Sequence, residues 1–222
     1  MAQRDAEFIR RWLEAAAEAV ARDASRLTEL DSAIGDADHG SNMRRGFAAV
    51  VATLADQPPT DPGGTLRVAG RTLISTVGGA AGPLYGTLLR SAGKALGDDP
   101  VVDDERLAEA LRAGVDGVAS LGGAAVGDKT MVDALLPAVS ALPDYPAARQ
   151  AAEEGAAATV PLRARKGRAS YLGDRSTGHL DPGAASSALL IGALADAAAA
   201  GAEAGGAEAG GAEAGGAEAG DD

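Results

Sequence analysis

The stretch "LDSAIGDADHGSNMRRGF", Leu30 to Phe47, breaks one amphipathic pattern and starts another, and it places Asp31, Asp36 and Asp38 within eight positions. Before it, Phe8, Ile9, Trp12, Leu13, Ala16, Ala19 and Val20 recur at helical spacing. After it, Met43, Phe47, Val50, Val51 and Leu54 do the same. The helix–break–helix pattern repeats along the chain. Further helices are expected over 64–77, 83–96, 103–121, 130–142, 146 to about 163, and 183–200, giving eight helices and no convincing strand.

The breaks fall into two kinds. "IGDADHGSN", "GGAAGPLYG", "LGGAAVGDKT" and "RKGRASYLGDRSTGHLDPGA" are Gly-rich and polar, and they follow the first, third, fifth and seventh helices. "ADQPPTDPG", "GDDPVVD" and "PDYP" follow the second, fourth and sixth and are ordinary Pro/Asp turns. In an up-and-down helical array alternate connections lie at one end, so the four Gly-rich breaks should share a face. The expected fold class is all-α, a helical barrel or bundle with its functional surface at one end.

Composition agrees. The 222 residues are 46% hydrophobic but only 3% aromatic, a balance dominated by Ala, Leu and Val that suits closely packed helices. One domain over residues 1–200 is expected. Residues 201–222 are "GAEAG" four times over, followed by two Asp, and their glycine content predicts a disordered, solubilising tail without a catalytic role. Net charge is −12; without the tail 26 acidic side chains face 20 basic ones, a charge of −6, which argues against nucleic acid as a general partner. There is no cysteine, hence no disulfide or thiolate metal site. The charged N-terminus does not read as a signal peptide, no apolar run reads as long enough to cross a bilayer, and a cytoplasmic location without membrane attachment is expected.

A single Asp in a turn is most often a helix cap. Three carboxylates so close repel one another, which a cap does not require, whereas Mg²⁺ takes a few carboxylates and completes its shell with water and phosphate. "GGAAGPLYG", Gly78 to Gly86, opens a helix with free N–H groups and suits an anion, although a close-packed turn explains the same residues. "GGAAVGDKT" misses the phosphate-loop pattern because Asp128 stands where Lys is required, but Lys129 and Thr130 remain usable for nucleotide contact. "RARKGRAS", Arg163 to Ser170, reads as a solvated turn or, near carboxylates, as a phosphate clamp. His39 and His179 both sit in these loops, with no Ser-His-Asp order or paired-glutamate pattern to support hydrolysis.

Taken together, "LDSAIGDADHGSNMRRGF", "GGAAGPLYGT", "GDKTMVDAL" and "ARKGRASYLGDRSTGHLDPGA" resemble the nucleotide-binding L-subunit family of bacterial dihydroxyacetone kinases, over Met1 to Ala200. The resemblance implies an eight-helix antiparallel barrel with a nucleotide, ADP or ATP, and two Mg²⁺ ions at one end. It implies that Asp31, Asp36 and Asp38 hold the metals. It also implies nucleotide contacts from His39, Gly40, Ser41 and Asn42, from Ala80 and Ala81, from Gly122, Met131 and Arg168, and from Asp181, Pro182 and Gly183. No catalytic base on this chain is implied. The acceptor would be held by a separate K subunit, and bound ADP would be recharged by a phosphotransferase-system M subunit. The family's second loop usually reads GGxSG, and here Ala81 replaces the serine, which removes one hydroxyl contact while keeping the backbone N–H. Two alternatives stand beside this reading: an ATP-exchanging kinase subunit for another small ketose, and a regulatory module that grips a transcription factor.

Overall fold

The computed structural model describes residues 3–211. Among them are eight α-helices: α1 (Ala6–Ile34), α2 (His39–Asp56), α3 (Pro62–Thr76), α4 (Ala81–Leu96), α5 (Asp104–Gly122), α6 (Val132–Ala141), α7 (Tyr145–Ala157) and α8 (Pro182–Gly211). Each helix packs on the next and α8 packs back on α1, closing the ring around one principal apolar core. Phe8, Trp12, Phe47, Leu66, Tyr85, Leu89, Leu111, Leu135 and Leu194 all contribute to that core. Asp5, Asp61, Asp103 and Asp144 cap α1, α3, α5 and α7, each accepting a backbone N–H three residues on. These four caps begin the odd helices at the end of the ring remote from the Gly-rich loops.

The α3–α4 pair shows why small residues dominate. A Cβ on Gly70 would lie 2.7 Å from the Gly86 carbonyl oxygen, and one on Gly86 would lie 2.7 Å from that of Gly70. Gly63 and Gly93 are related in the same way, at 2.8 and 2.5 Å. Each glycine costs about 1 kcal/mol of helix propensity relative to Ala. In return two backbones touch over two turns, which fixes the loop between α3 and α4 to the barrel.

At the remote end Arg4 is buried, its Nε donates to Asp104 Oδ1 at 2.6 Å, and Tyr145 donates its hydroxyl to the same oxygen at 2.5 Å. The guanidinium also stacks over Phe8, 4.4 Å from the ring centre. Here two strands of two residues, β1 (Arg4–Asp5) and β2 (Val101–Val102), pair antiparallel. They escape sequence periodicity because two residues define none.

Four expectations are corrected. α7 stops at Ala157 rather than near Arg163, because Pro161 lacks an N–H and would clash with the carbonyl four residues back. The segment from Arg168 to Ser176, expected as loop, forms a 3₁₀ helix interrupted at Gly173. α8 continues to Gly211, so the helix does not end at Ala200; three of every five repeat residues are Ala or Glu, which favour helix. The rest of the expected disordered tail lies outside the described residues. Finally, Pro182–Gly201 is long and apolar enough to cross a membrane, with a mean hydropathy of 1.5, but 56% of its most apolar window is buried inside the barrel, against α1, α6 and α7.

Candidate functional site

The first Gly-rich break is built around Asp31, which lies in the last turn of α1 and is buried. Its Oδ2 accepts the backbone N–H groups of Asp38, at 2.9 Å, and His39, at 3.1 Å, so a carboxylate of one helix caps the start of the next. Gly35 makes the turn possible: a Cβ there would sit 2.8 Å from Asp31 Cγ and closer still to Oδ1. Ala37 adopts a left-handed conformation, φ 62°, between Asp36 and Asp38. As a result one carboxylate oxygen from each of Asp31, Asp36 and Asp38 falls within 4.8 Å of the other two. An oxygen-only, triply acidic donor set at the negative end of α1 fits a hard divalent cation. Arg168 stands on the cluster, its Nη2 3.0 Å from Asp36 Oδ2.

The cluster opens into a cavity of about 260 Å³ that is also lined by Asn42, Gly78 to Ala81, Lys166 to Ala169, Asp181 and Pro182. A second cavity of about 470 Å³ adjoins it, with walls from Leu84, Tyr85, Val118, Leu121, Ala124, Met131 and Val132. His39, Ala80, Ala81, Lys166, Gly167 and Asp181 line both. All four Gly-rich breaks therefore meet at one end. The N-termini of α2, α4 and α8 border the outer cavity, and that of α4 carries no side-chain cap, leaving its first N–H groups and positive dipole end available to an anion.

Beneath the cavities lies a connected polar layer. His39 Nε2 is 2.8 Å from Ser186 Oγ, and the buried Tyr85 hydroxyl is 2.7 and 2.8 Å from Ser186 and Ser187 Oγ. Burial lowers the His39 pKa, partly opposed by Asp31 and Asp38, and favours neutral imidazole. Burial pushes Tyr85 up to about 12. Asp133 accepts the N–H groups of Gly127, at 2.6 Å, and Thr130, at 2.7 Å, and so fixes the third break. Asp181 caps α8 by accepting from Ala184 N at 2.7 Å. Its burial raises it to about 7, opposed by those backbone bonds and by Lys129.

The structure brings most of the expected residues together and leaves a few out. Asp31, Asp36, Asp38, Asn42, Arg168 and Pro182 line the outer cavity, Gly122, Met131 and Gly183 the inner one, and His39, Ala80, Ala81 and Asp181 both. Gly40 faces α1 instead, and Ser41 is exposed, donating to the Asp38 carbonyl at 2.9 Å. Lys129 also departs from expectation. Its stem lines the inner cavity, but its buried ammonium donates to the carbonyls of Thr159, at 2.7 Å, and His179, so it ties loops together rather than facing a phosphate. Lys166 and Gly167, inside the strip expected as a phosphate clamp, line both cavities. Leu84 and Tyr85, inside the stretch expected to suit an anion, line the inner one as an apolar wall instead, and Leu121 beside them was not singled out, because an apolar residue at a helix end reads as core.

Residues 33–196 match the DAK2 domain model. The chain is 43% identical over 190 residues to the protein of Listeria innocua called PEP-dependent dihydroxyacetone kinase 1, ADP-binding subunit DhaL, covering 86% of this chain and 96% of that one. It is 44% identical over 195 residues to the corresponding ADP-binding subunit DhaL of Escherichia coli K12, covering 83% and 93%. Among solved structures it resembles the dihydroxyacetone kinase of C. freundii in complex with AMP-PNP and Mg²⁺, with a TM-score of 0.68 and 27% identity, covering 86% of this chain and 34% of that one. With the match spanning most of the barrel and all four loops, the chain belongs to the DAK2 domain family.

Proposed function

We propose that this chain is the ADP-binding subunit of a dihydroxyacetone kinase, a phosphotransferase whose acceptor is held by a separate K subunit and whose ADP is recharged by a phosphotransferase-system M subunit. The observation that carries the reading is the junction of a three-carboxylate cluster with an apolar, base-sized cavity at the N-terminus of α4. The names of the Listeria and Escherichia relatives support it. It works in the cytoplasm.

The parts divide by chemistry. Leu84, Leu121, Val118 and Met131 enclose the nucleoside. The uncapped N–H groups at Ala81 and Gly82 receive phosphate oxygens. Asp31, Asp36 and Asp38 hold two Mg²⁺ ions, which neutralise charge on the phosphates. Arg168, exposed and paired with Asp36, is placed to turn from the carboxylate to the phosphates. Among the described residues no side chain at this site is arranged as a base for a sugar hydroxyl, so the chain's contribution is positioning and electrostatics.

Native mass spectrometry of the purified chain tests the reading. ADP should accompany it together with Mg²⁺. Asp36→Asn and Asp38→Asn should each abolish nucleotide retention while the circular dichroism stays helical, because both residues lie exposed on the loop between α1 and α2. A wild-type chain with no Mg²⁺-dependent ADP binding by calorimetry would refute it.

A further inference from the structure

Among the basic residues of the 163–168 strip, three are already paired. Arg163 lies 3.3 Å from Asp174, Arg165 lies 3.8 Å from Asp128, and Arg168 lies 3.0 Å from Asp36. Lys166 differs: among the described residues no carboxylate oxygen lies within ion-pair distance of its ammonium. Lys166 also lines both cavities. Its Nζ lies 3.7 Å from where a Cβ on Gly123 would be, beside the left-handed C-cap of α5. The carbonyl end of a helix attracts a cation weakly and gives it up to a stronger anion.

The other five residues of the seam leave this cation alone there. Ala80, Ala81 and Gly167 carry no charged side chain, Asp181 is an acid committed to capping α8, and His39 Nε2 is engaged with Ser186. A nucleotide with its base in the inner cavity and its outer phosphates at the aspartates must pass its first phosphate through this seam. We propose that Lys166 binds the α-phosphate, so that one side chain holds the phosphate nearest the nucleoside while the aspartate cluster, through its cations, holds the outer ones. This rests on the nucleotide reading above and adds a separation of labour within it.

The test is calorimetric titration of the full chain with adenosine, AMP and ADP in the presence of Mg²⁺, for the wild type, K166M and K166R. A charge-assisted contact predicts that K166M weakens AMP and ADP by the same factor, roughly tenfold to a hundredfold, and leaves adenosine within about twofold. K166R should recover most of the loss. Unchanged AMP affinity in K166M, or a loss confined to ADP, would overturn the assignment. An equal loss for adenosine would overturn it too, because the side chain would then be shaping the loop. If wild-type protein binds none of the three, the nucleotide reading fails and this assignment with it; if the wild type binds and K166M matches it, this assignment alone fails.

Discussion

Gly40→Ala probes the close approach that shapes the aspartate cluster. A Cβ on Gly40 would lie 2.5 Å from Thr28 Oγ1 and 2.9 Å from the Ala24 carbonyl carbon, and nearer still to the Ala24 carbonyl oxygen. Thr28 can rotate away, but the Ala24 carbonyl belongs to the backbone of α1 and cannot. Restoring ordinary contact therefore moves the first turn of α2 by about 1 Å, a repacking that costs roughly 1–3 kcal/mol and is partly offset by Ala's better helix propensity of about 1 kcal/mol. A net loss of up to about 2 kcal/mol lowers the melting temperature of a domain this size by up to roughly 8 °C. The same shift lengthens the bonds from Asp38 and His39 N–H to Asp31 Oδ2, now 2.9 and 3.1 Å, beyond hydrogen-bonding range. Disrupting the support of a metal ligand typically costs about 10- to 100-fold in affinity. Differential scanning calorimetry and ADP titration with Mg²⁺ read the two effects separately. A variant that melts at or above the wild type and binds ADP equally would show that α1 and α2 do not meet at Gly40 as described.

Ala81→Ser restores a hydroxyl at the start of α4, and if the backbone N–H groups do most of the binding, ADP affinity should rise by only about 1 kcal/mol in calorimetry. A gain several times larger would mean that the loop is poorly formed without the hydroxyl. Arg4→Met leaves Asp104 largely buried without its cation and should cost about 2–4 kcal/mol in denaturant unfolding, less than a fully buried pair because Asp104 keeps some solvent access. ADP affinity should be unchanged, since α1 alone puts Arg4 roughly 40 Å from the cluster. The purified chain charged with triphosphate and Mg²⁺ should not phosphorylate dihydroxyacetone until a K subunit is added. Steady turnover by the single chain would place the acceptor site here.

What the sequence made legible was whatever it wrote as a pattern. The apolar stripe from Phe8 to Val20 and the Pro/Asp turns marked out eight helices, and the alternation of loop chemistry marked the end at which the Gly-rich loops meet around the two cavities. The three aspartates were legible because three close carboxylates need a reason. Lys129 was misread because a lysine beside a Gly-rich loop invites a phosphate, whereas the ammonium turns inward to the carbonyls of Thr159 and His179. Its backbone adopts a left-handed φ of 63°, a conformation that no spacing rule reveals. Gly40 was read as a ligand contact, but a glycine does not announce whether it yields to a ligand or to a neighbouring helix. The pairing of Gly70 with Gly86 was hidden likewise, since it depends on which two helices touch.

An antiparallel barrel puts the C-termini of the odd helices and the N-termini of the even ones at the same end, so both cation-attracting and anion-attracting helix ends are present side by side. Fold alone does not say which of them become sites. The sequence settles that by what it places at each end. At the close of α1 it adds carboxylates, reinforcing the negative end, which is where the proposed function puts its cations. At the opening of α4 it places Gly78, Gly79, Ala80 and Ala81, leaving N–H groups uncovered by any side chain. At the opening of α6 it places an acid instead: Asp133, in the first turn, accepts the N–H groups of Gly127 and Thr130 just ahead of the helix and sets negative charge at that end, which disfavours an anion. Asp181 does the same at α8 by capping Ala184. On the nucleotide reading proposed above, phosphate is thereby directed to the α4 end, beside the aspartates rather than across the cavity, so that opposite charges meet where phosphoryl transfer requires them.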